Sequence, residues 1–416
     1  METALSYYTL LSSIQDGSPT VSIHMDSAYT LPLILKSFQS CPFISWTILP
    51  SSFNAKVCWN EYEHLDWKRI LKGEVIANAY CVRKGLSRKA QLSKYMDKYT
   101  YKHPTCALSK AIPTTVVIDT WAAYETQNEE NMIFRMTFKQ RLQACLWEAE
   151  QFMESSSTKT SSTFILKPSC SNKGAEVYIL REFKELKDLV LEWPDIREWV
   201  LQAYIERPLL VRNRKFHIRT YVLALGSLQV FVYQDMLVLT ATEPYTNAPL
   251  SHTHAHLTNT AHQVSHPDFN PDDCVFSLDE LPNISSSKLP DGFVSTIKTK
   301  INTLVGELFD AYKGEFAVFQ PLPNCFELYG LDFMIDTELN TWLLEVNPGP
   351  DFKQTGKNLQ NVIGTLMTDT VNIISQHYFN ESSTSNSPLV LGNFNHVYTL
   401  SGGYRNKQTV QMEFIE

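Results

Sequence analysis

Two short phrases near the C-terminal end constrain this chain more than any other feature. They are LYGLDFMID, residues 328–336, and TWLLEVNPG, residues 341–349, separated by the polar stretch TELN. Side chains alternate between the faces of a strand, so a hairpin pairing Asp336 with Thr341 sets Phe333 opposite Leu344 and Leu331 opposite Val346. Ile335 and Trp342 fall on the same apolar face. The other face carries Asp332 directly across from Glu345, with Asn347 one step along. A slip of one residue would bury the acids and expose the hydrophobes, which ties the register to this arrangement. Two facing carboxylates repel unless a hard cation or a shared proton sits between them. With an amide oxygen alongside, Mg²⁺ suits the trio, because it takes a few protein oxygens and leaves its other positions to phosphates and water. The residues alone equally allow a surface hairpin whose acids face solvent.

Glycine is scarce, 15 among 416 residues, and this closes several routes. The chain has no G-x-x-x-x-G-K-[ST], no G-x-G-x-x-G and no G-x-S-x-G, so a P-loop, a Rossmann turn and a nucleophile elbow are excluded at motif level. The H-R-D and D-F-G signatures of protein kinases are missing too. A net charge of −8 argues against a general nucleic-acid binder, and no direct nucleic-acid contact is expected. The 8 cysteines are scattered without any C-x-x-C, which implies reduced thiols in a cytosolic protein, not a zinc site or a disulfide framework. No basic start followed by an apolar run opens the chain, so no signal peptide is expected. The most apolar region, 221–241, is broken by Gln229, Gln234 and Asp235 and reads as two strands around a Gly226–Ser227 turn, not a membrane span.

A length of 416 residues allows two or three domains. Residues 1–115 mix short strand-like runs with a basic stretch from Arg83 to Lys110 that holds 8 Lys/Arg against one Asp. That stretch suits an acidic peptide tail or a phosphate backbone, or simply a solvated helix face. AIPTTVVID reads as a strand, and Phe134, Phe138, Leu142, Cys145, Ala149 and Phe152 recur at helical spacing. From Thr163 the pattern is strand, loop, strand, then a helix with Phe183, Leu186, Leu189, Val190 and Trp193 on one face. Residues 199–352 read as mainly strands, interrupted by a polar, His- and Pro-rich insert at about 246–291. A helix around 358–376, a Ser/Asn linker and a short tail, PLVLGNFNHVYTL, follow.

Two further stretches hold candidate chemistry. In TFILKPSCSNKGAEVYIL, a strand ends in Lys167 and a polar loop carries Lys173 and Gly174, a hairpin able to lay a lysine and backbone N–H groups over phosphates. In RKFHIRTYVL, Lys215, His217 and Arg219 alternate and so share a face, with Phe216 and Ile218 behind them. Two fixed cations and an imidazole on one face suit a polyphosphate or a carboxylate, although an exposed basic face would look the same. His252, His254 and His256 also alternate, but without a nearby fixed carboxylate or cysteine they read as a surface loop, not a zinc site.

The phrases RKGLSRKAQLSKY, FILKP…NKGAEVYIL, LQAYIERPLL, RKFHIRTYVL, ATEPY, HLTN, CFELYGLDFMID and WLLEVNPGP, taken in order over about 75–355, resemble the tubulin–tyrosine ligase-like family of ATP-grasp enzymes. The resemblance implies a mixed α/β (α+β) chain with an N-terminal α/β lobe (1–115) and a central ATP-grasp lobe (116–200). A C-terminal ATP-grasp lobe (201–380) carrying the metal-binding hairpin follows, then a linker and tail (381–416). It implies ATP between two sheets, with Lys167, Lys173 and Lys215 at the phosphates or ribose side and Gln202, Ala203, Tyr204 and Ile205 as the adenine hinge. Thr258 and Asn259 would sit near the phosphates and acceptor, Asp332, Glu345 and Asn347 would hold Mg²⁺, and Arg219 would stabilise the transferring phosphoryl group. The implied reaction phosphorylates a peptide carboxylate, such as an acidic tubulin-like tail, and lets an amino-acid amine displace the phosphate.

Departures from the family pattern matter as much. His217 stands where the family has Asp; with an unperturbed pKa near ~6.5, it would make nucleotide affinity rise as pH falls through that range. Ala203 stands where a basic residue is usual. Leu239 occupies the position of an arginine that meets phosphates and acceptor, and loss of such a clamp costs orders of magnitude in rate. Two readings therefore stay open. One is an ATP-dependent ligase; the other is a catalytically weak ATP-grasp module that joins mRNA-decay proteins in cytoplasmic processing bodies, as the resemblance to the fungal branch of the family implies.

Overall fold

The computed structural model describes residues 17–121, 137–157, 163–170, 176–246, 252–285, 288–350, 352, 357–379 and 388–400. Among them three sheets organise the chain. The first is parallel and four-stranded, ordered 47–49, 20–24, 57–60, 76–77. The third is antiparallel, ordered 115–119, 198–203, 164–168, 178–180, with helices Phe138–Ser157 and Phe183–Glu192 packed on one side through Cys145, Ala149, Leu186 and Val190.

The second sheet is built around the strand Arg214–Leu225. One of its edges is shared: residues 216–219 pair with Leu237–Thr240 and residues 222–225 with Gln229–Tyr233 around Gly226, whose φ of +58° suits the turn. Its other edge pairs over 218–225 with Phe326–Ile335, which in turn pairs with Thr341–Pro348. Its second half, residues 221–225, is apolar on both faces because both are covered. Val222 and Ala224 meet helix Phe293–Asp310 through Ile301, Leu304 and Leu308. Tyr221, Leu223 and Leu225 meet helices Thr30–Gln39 and Lys357–Phe379.

Three features differ from the sequence reading. Helix Phe293–Asp310 lies inside the region read as mainly strands; Phe293, Ile297, Ile301, Leu304, Val305 and Leu308 follow helical spacing and are buried. The insert is not purely loop: Val275–Ser277 adds an edge strand to the central sheet against Leu237–Leu239. The tail segment docks, with Phe394–Thr399 pairing with Gln229–Tyr233. Among the described residues no helix is long and apolar enough to cross a membrane.

The hairpin register also needs a correction. Asp332 pairs with Glu345, Leu331 with Val346 and Gly330 with Asn347, but a bulge follows, so Phe333 faces Leu343 and Ile335 faces Thr341. Leu344 is the extra residue; it turns to the same side as Glu345, while Leu343 enters the core in its place. Gly330 is required on packing grounds, since a Cβ there would lie 2.8 Å from Cβ of Pro350 and 3.4 Å from Cδ of Arg219.

A buried ion pair joins the N-terminal region to the central sheet. Arg83 contacts Glu327, which also accepts from Tyr80 N (3.1 Å) and the Tyr329 hydroxyl (2.6 Å). The Arg83 guanidinium lies 3.9 Å from the centre of the Tyr62 ring. Arg83 is therefore unavailable to an acidic peptide tail. Lys94 and Lys98 of the same basic stretch are likewise paired, with Asp119 (2.8 Å) and Glu315 (2.5 Å).

Candidate functional site

A cavity opens between the third sheet and the central sheet. The third sheet contributes Lys167 from the end of 164–168 and Gln202 to Ile205 from the end of 198–203. The central sheet contributes Lys215, His217, Asp332, Met334, Leu344, Glu345 and Asn347. The insert supplies His256 to Asn259. Of the residues singled out from the sequence, Lys173 lies outside the described residues, and Arg219 sits behind the wall on Asp332. The other residues that the resemblance assigns to nucleotide or cation binding all line this one cavity.

The two lysines are held differently. Lys167 Nζ donates to Gln202 Oε1 (3.1 Å), whose amide donates onward to Thr115 Oγ1 (3.0 Å). Burial lowers its pKa to about 8, with Glu345 pulling the other way. Lys215 Nζ donates to the Tyr204 hydroxyl (2.7 Å) and lies 4.1 Å from that ring's centre. Burial, then the charge of Lys167, brings Lys215 to about 7. Burying an ammonium without a carboxylate against it is costly, and such a group gains when an anion enters.

The acids face them. Arg219 forks onto Asp332, Nε to Oδ1 at 2.5 Å and Nη2 to Oδ2 at 3.1 Å, and this pairing holds the guanidinium pKa above its usual value despite burial. Burial would raise the Glu345 carboxyl, but Lys89 (3.8 Å), Lys167 and a hydrogen bond from Asn347 Nδ2 (3.0 Å) bring it to about 2. The facing carboxylates are thus flanked by cations, Asp332 by Arg219 and Glu345 by Lys89. Among the described residues no three His, Cys, Asp or Glu side chains converge to hold an ion unaided. The oxygen donors of Asp332, Glu345 and Asn347 fit a hard cation whose remaining positions come from phosphates and water.

His217 is 2 % exposed, and its Nδ1 lies 2.6 Å from Thr258 Oγ1. Burial lowers its pKa, opposed by Asp332. The sequence-based expectation of titration near 6.5 therefore shifts to lower pH. His256, read from sequence as part of a surface loop, is buried; its Nδ1 meets the Tyr204 hydroxyl at 2.9 Å. Short helix Thr253–His256 turns it inward, which the alternation of histidines did not signal. Leu239 pairs across from His217 but packs in the apolar cluster with Leu237 and Val275. Lys89 was missed as a site residue because only its fold partner Glu345, far along the chain, marks it.

The pattern of the tubulin–tyrosine ligase family matches residues 100–384. A "probable tubulin–tyrosine ligase", PBY1 of Saccharomyces cerevisiae, is 33% identical over 393 residues, 83% of this chain and 49% of that protein. The chain thus spans about half the length of that relative. A protein of Schizosaccharomyces pombe with the same description is 31% identical over 411 residues, 88% of this chain and 94% of its own length. The "probable tubulin polyglutamylase" TTLL9 of Bos taurus is 32% identical over 183 residues, 43% of this chain and 39% of its own. Among solved structures, the C-terminal domain of Pby1 from K. lactis superimposes with a TM-score of 0.66 and 28% identity, covering 92% of this chain and all of that one. It is described as an ATP-grasp enzyme interacting with the mRNA decapping enzyme Dcp2.

Proposed function

Because the chain belongs to the tubulin–tyrosine ligase family and has the ATP-grasp fold, we propose that its cavity binds ATP with a divalent cation and activates a peptide carboxylate for ligation to an amino acid. The observation that carries this reading is the convergence of two desolvated lysines, Lys167 and Lys215, with Asp332 and Glu345 opposite them. Lys167, Lys215, Thr258 and Asn259 would hold the phosphates, Gln202 to Ile205 would meet the base, and Asp332, Glu345 and Asn347 would hold the cation. The cation would draw charge from the transferring phosphoryl group. A carboxylate oxygen of the acceptor attacks the γ-phosphorus and ADP leaves with the bonding pair. The amine then attacks the acyl carbon, loses a proton and expels phosphate. A single-turnover ADP-release assay with acidic peptides and amino acids tests this; no ADP above background with any of them would overturn ligation.

Lys215 gives the binding step a pH signature. In the free protein its ammonium is half lost at about pH 7, and a phosphate beside it favours the charged form. ATP affinity is therefore expected to fall as pH rises above about 7, by up to about tenfold per unit. Calorimetry between pH 6.5 and 9 in two buffers of different ionisation heat would read both the slope and the proton uptake. A flat profile would remove Lys215 from the phosphate site.

A second reading is favoured by Leu239, which sits in an apolar cluster where a second clamp on the acceptor would be needed. On it the chain keeps nucleotide binding but serves cytoplasmic mRNA-decay assemblies as a partner-binding component, as the decapping-enzyme contact of the solved relative suggests for this chain. Leu239→Arg separates the two. We expect stability to fall by more than about 2 kcal/mol, because a guanidinium enters an apolar cluster, with ADP release unchanged. A rise in release of about 10²-fold would instead mean that the side chain reaches the cavity and that ligation lacked only the clamp.

A further inference from the structure

The two nitrogens of the His217 imidazole are in unlike positions. Its Nδ1 is engaged by Thr258 Oγ1 at 2.6 Å, and its Nε2 is buried without a hydrogen-bond partner. That orphaned nitrogen faces Asp332 Oδ1 at 3.6 Å, too far for a hydrogen bond. Two ligands each about 2.1 Å from one ion stand about 3.0–3.6 Å apart, which is the separation found. Asp332 Oδ1 already accepts from Arg219 Nε, but a carboxylate oxygen has a second lone pair to offer. A Thr258 oxygen accepting from Nδ1–H would leave the Nε2 lone pair free, the tautomer that metal-binding imidazoles adopt when the other nitrogen is hydrogen-bonded.

We propose that His217 Nε2 and Asp332 Oδ1 hold the nucleotide-associated cation as a mixed nitrogen–oxygen pair, and that this chain consequently selects a transition ion such as Mn²⁺ over Mg²⁺. Mg²⁺ demands oxygen ligands in near-ideal octahedral geometry and gains little from an imidazole. Mn²⁺ still favours carboxylate and phosphate oxygens but stands at the start of the first-row series whose later members take imidazole nitrogen, and it accepts one more easily than Mg²⁺ does. Among the described residues no three His, Cys, Asp or Glu side chains converge, so the pair would hold the ion only with nucleotide phosphates and water completing its shell. The inference rests on the nucleotide reading above for that completion, and it deepens it by naming the ion.

The test uses Mn²⁺ and Mg²⁺ with a non-hydrolysable ATP analogue, on the intact chain and on His217→Asp. Calorimetry is expected to show a Mn²⁺-over-Mg²⁺ preference in the wild type at least about tenfold larger than in His217→Asp, which supplies oxygen instead of nitrogen. Pulsed electron paramagnetic resonance on the wild type with bound Mn²⁺ should show nitrogen coupling that changes when the histidines carry ¹⁵N and the nucleotide does not. That measurement needs no variant, so a poorly folded His217→Asp does not spare the proposal. Equal preference in the two proteins, or no coupling to labelled histidine, would overturn it. If the analogue binds with neither ion, the nucleotide reading fails, while Mn²⁺ titrated alone at millimolar concentration still reports whether imidazole nitrogen is a ligand.

Discussion

Arg83→Ala should lower the stability of the chain by about 3–5 kcal/mol, the cost of leaving a fully buried carboxylate without its counter-charge. Glu327 is 1 % exposed, and the Tyr80 N–H and the Tyr329 hydroxyl cannot replace the lost charge. Burial already raises the Glu327 pKa against the pull of Arg83, so in the variant it should rise further. The folded form then holds a proton that the unfolded chain releases near an ordinary carboxylate pKa, and the variant should regain stability as pH falls toward 5. Chemical denaturation of wild type, Arg83→Ala and Arg83→Ala/Glu327→Leu would check this. The double variant should be more stable than the single one; equal or greater loss would mean that Arg83 acts through its stacking on Tyr62.

Lys215→Met should move stability and binding in opposite directions. Nucleotide affinity should fall about 10- to 150-fold, the worth of a charged hydrogen bond of about 1.5–3 kcal/mol. Stability near pH 7 should rise by on the order of 1–4 kcal/mol, because an ammonium whose pKa is depressed from 10.5 to about 7 opposes folding. The sign follows from proton counts. Between about pH 7 and 10.5 the unfolded chain holds the proton and the folded chain has lost it, so wild-type stability gains from this group as pH rises through that window. Lys215→Met lacks that gain, and the two proteins should converge toward pH 10. Matched denaturation curves at pH 7 and 9.5, with calorimetry at pH 7, read both effects; a destabilised variant at pH 7 would show that the Tyr204 hydrogen bond outweighs the desolvation.

Much of the cavity wall could be read from local pattern. The alternation in RKFHIRTYVL placed Lys215 and His217 on one face with Phe216 and Ile218 behind, and these two do enter the apolar cluster on the far side. The pairing of Asp332 with Glu345 was legible because one face of that hairpin had to be apolar. The bulge at Leu344 was not, since Leu343 and Leu344 are the same residue type and either satisfies the core. Helix Phe293–Asp310 was lost among strand-rich neighbours although its apolar spacing is helical. Lys89 and His256 depend on contacts with Glu345 and Tyr204, more than 50 positions away in each case, and no local signal marks them. Arg83 shows the converse: a basic stretch looked like a surface for acidic partners, yet its first arginine is consumed by the interior.

The docking of Phe394–Thr399 beside Gln229–Tyr233 bears on how this protein can be handled as a fragment. The family match runs from 100 to 384, and a piece cut at those limits would end before that strand and begin beyond Arg83 and Lys89. Its central sheet would present a raw row of backbone donors and acceptors to neighbouring molecules, the usual starting point for edge-to-edge aggregation. The same cut would strand Glu327 in the interior and take one cation from Glu345. The span that the family pattern recognises is thus shorter than the stretch that must travel together in a test tube.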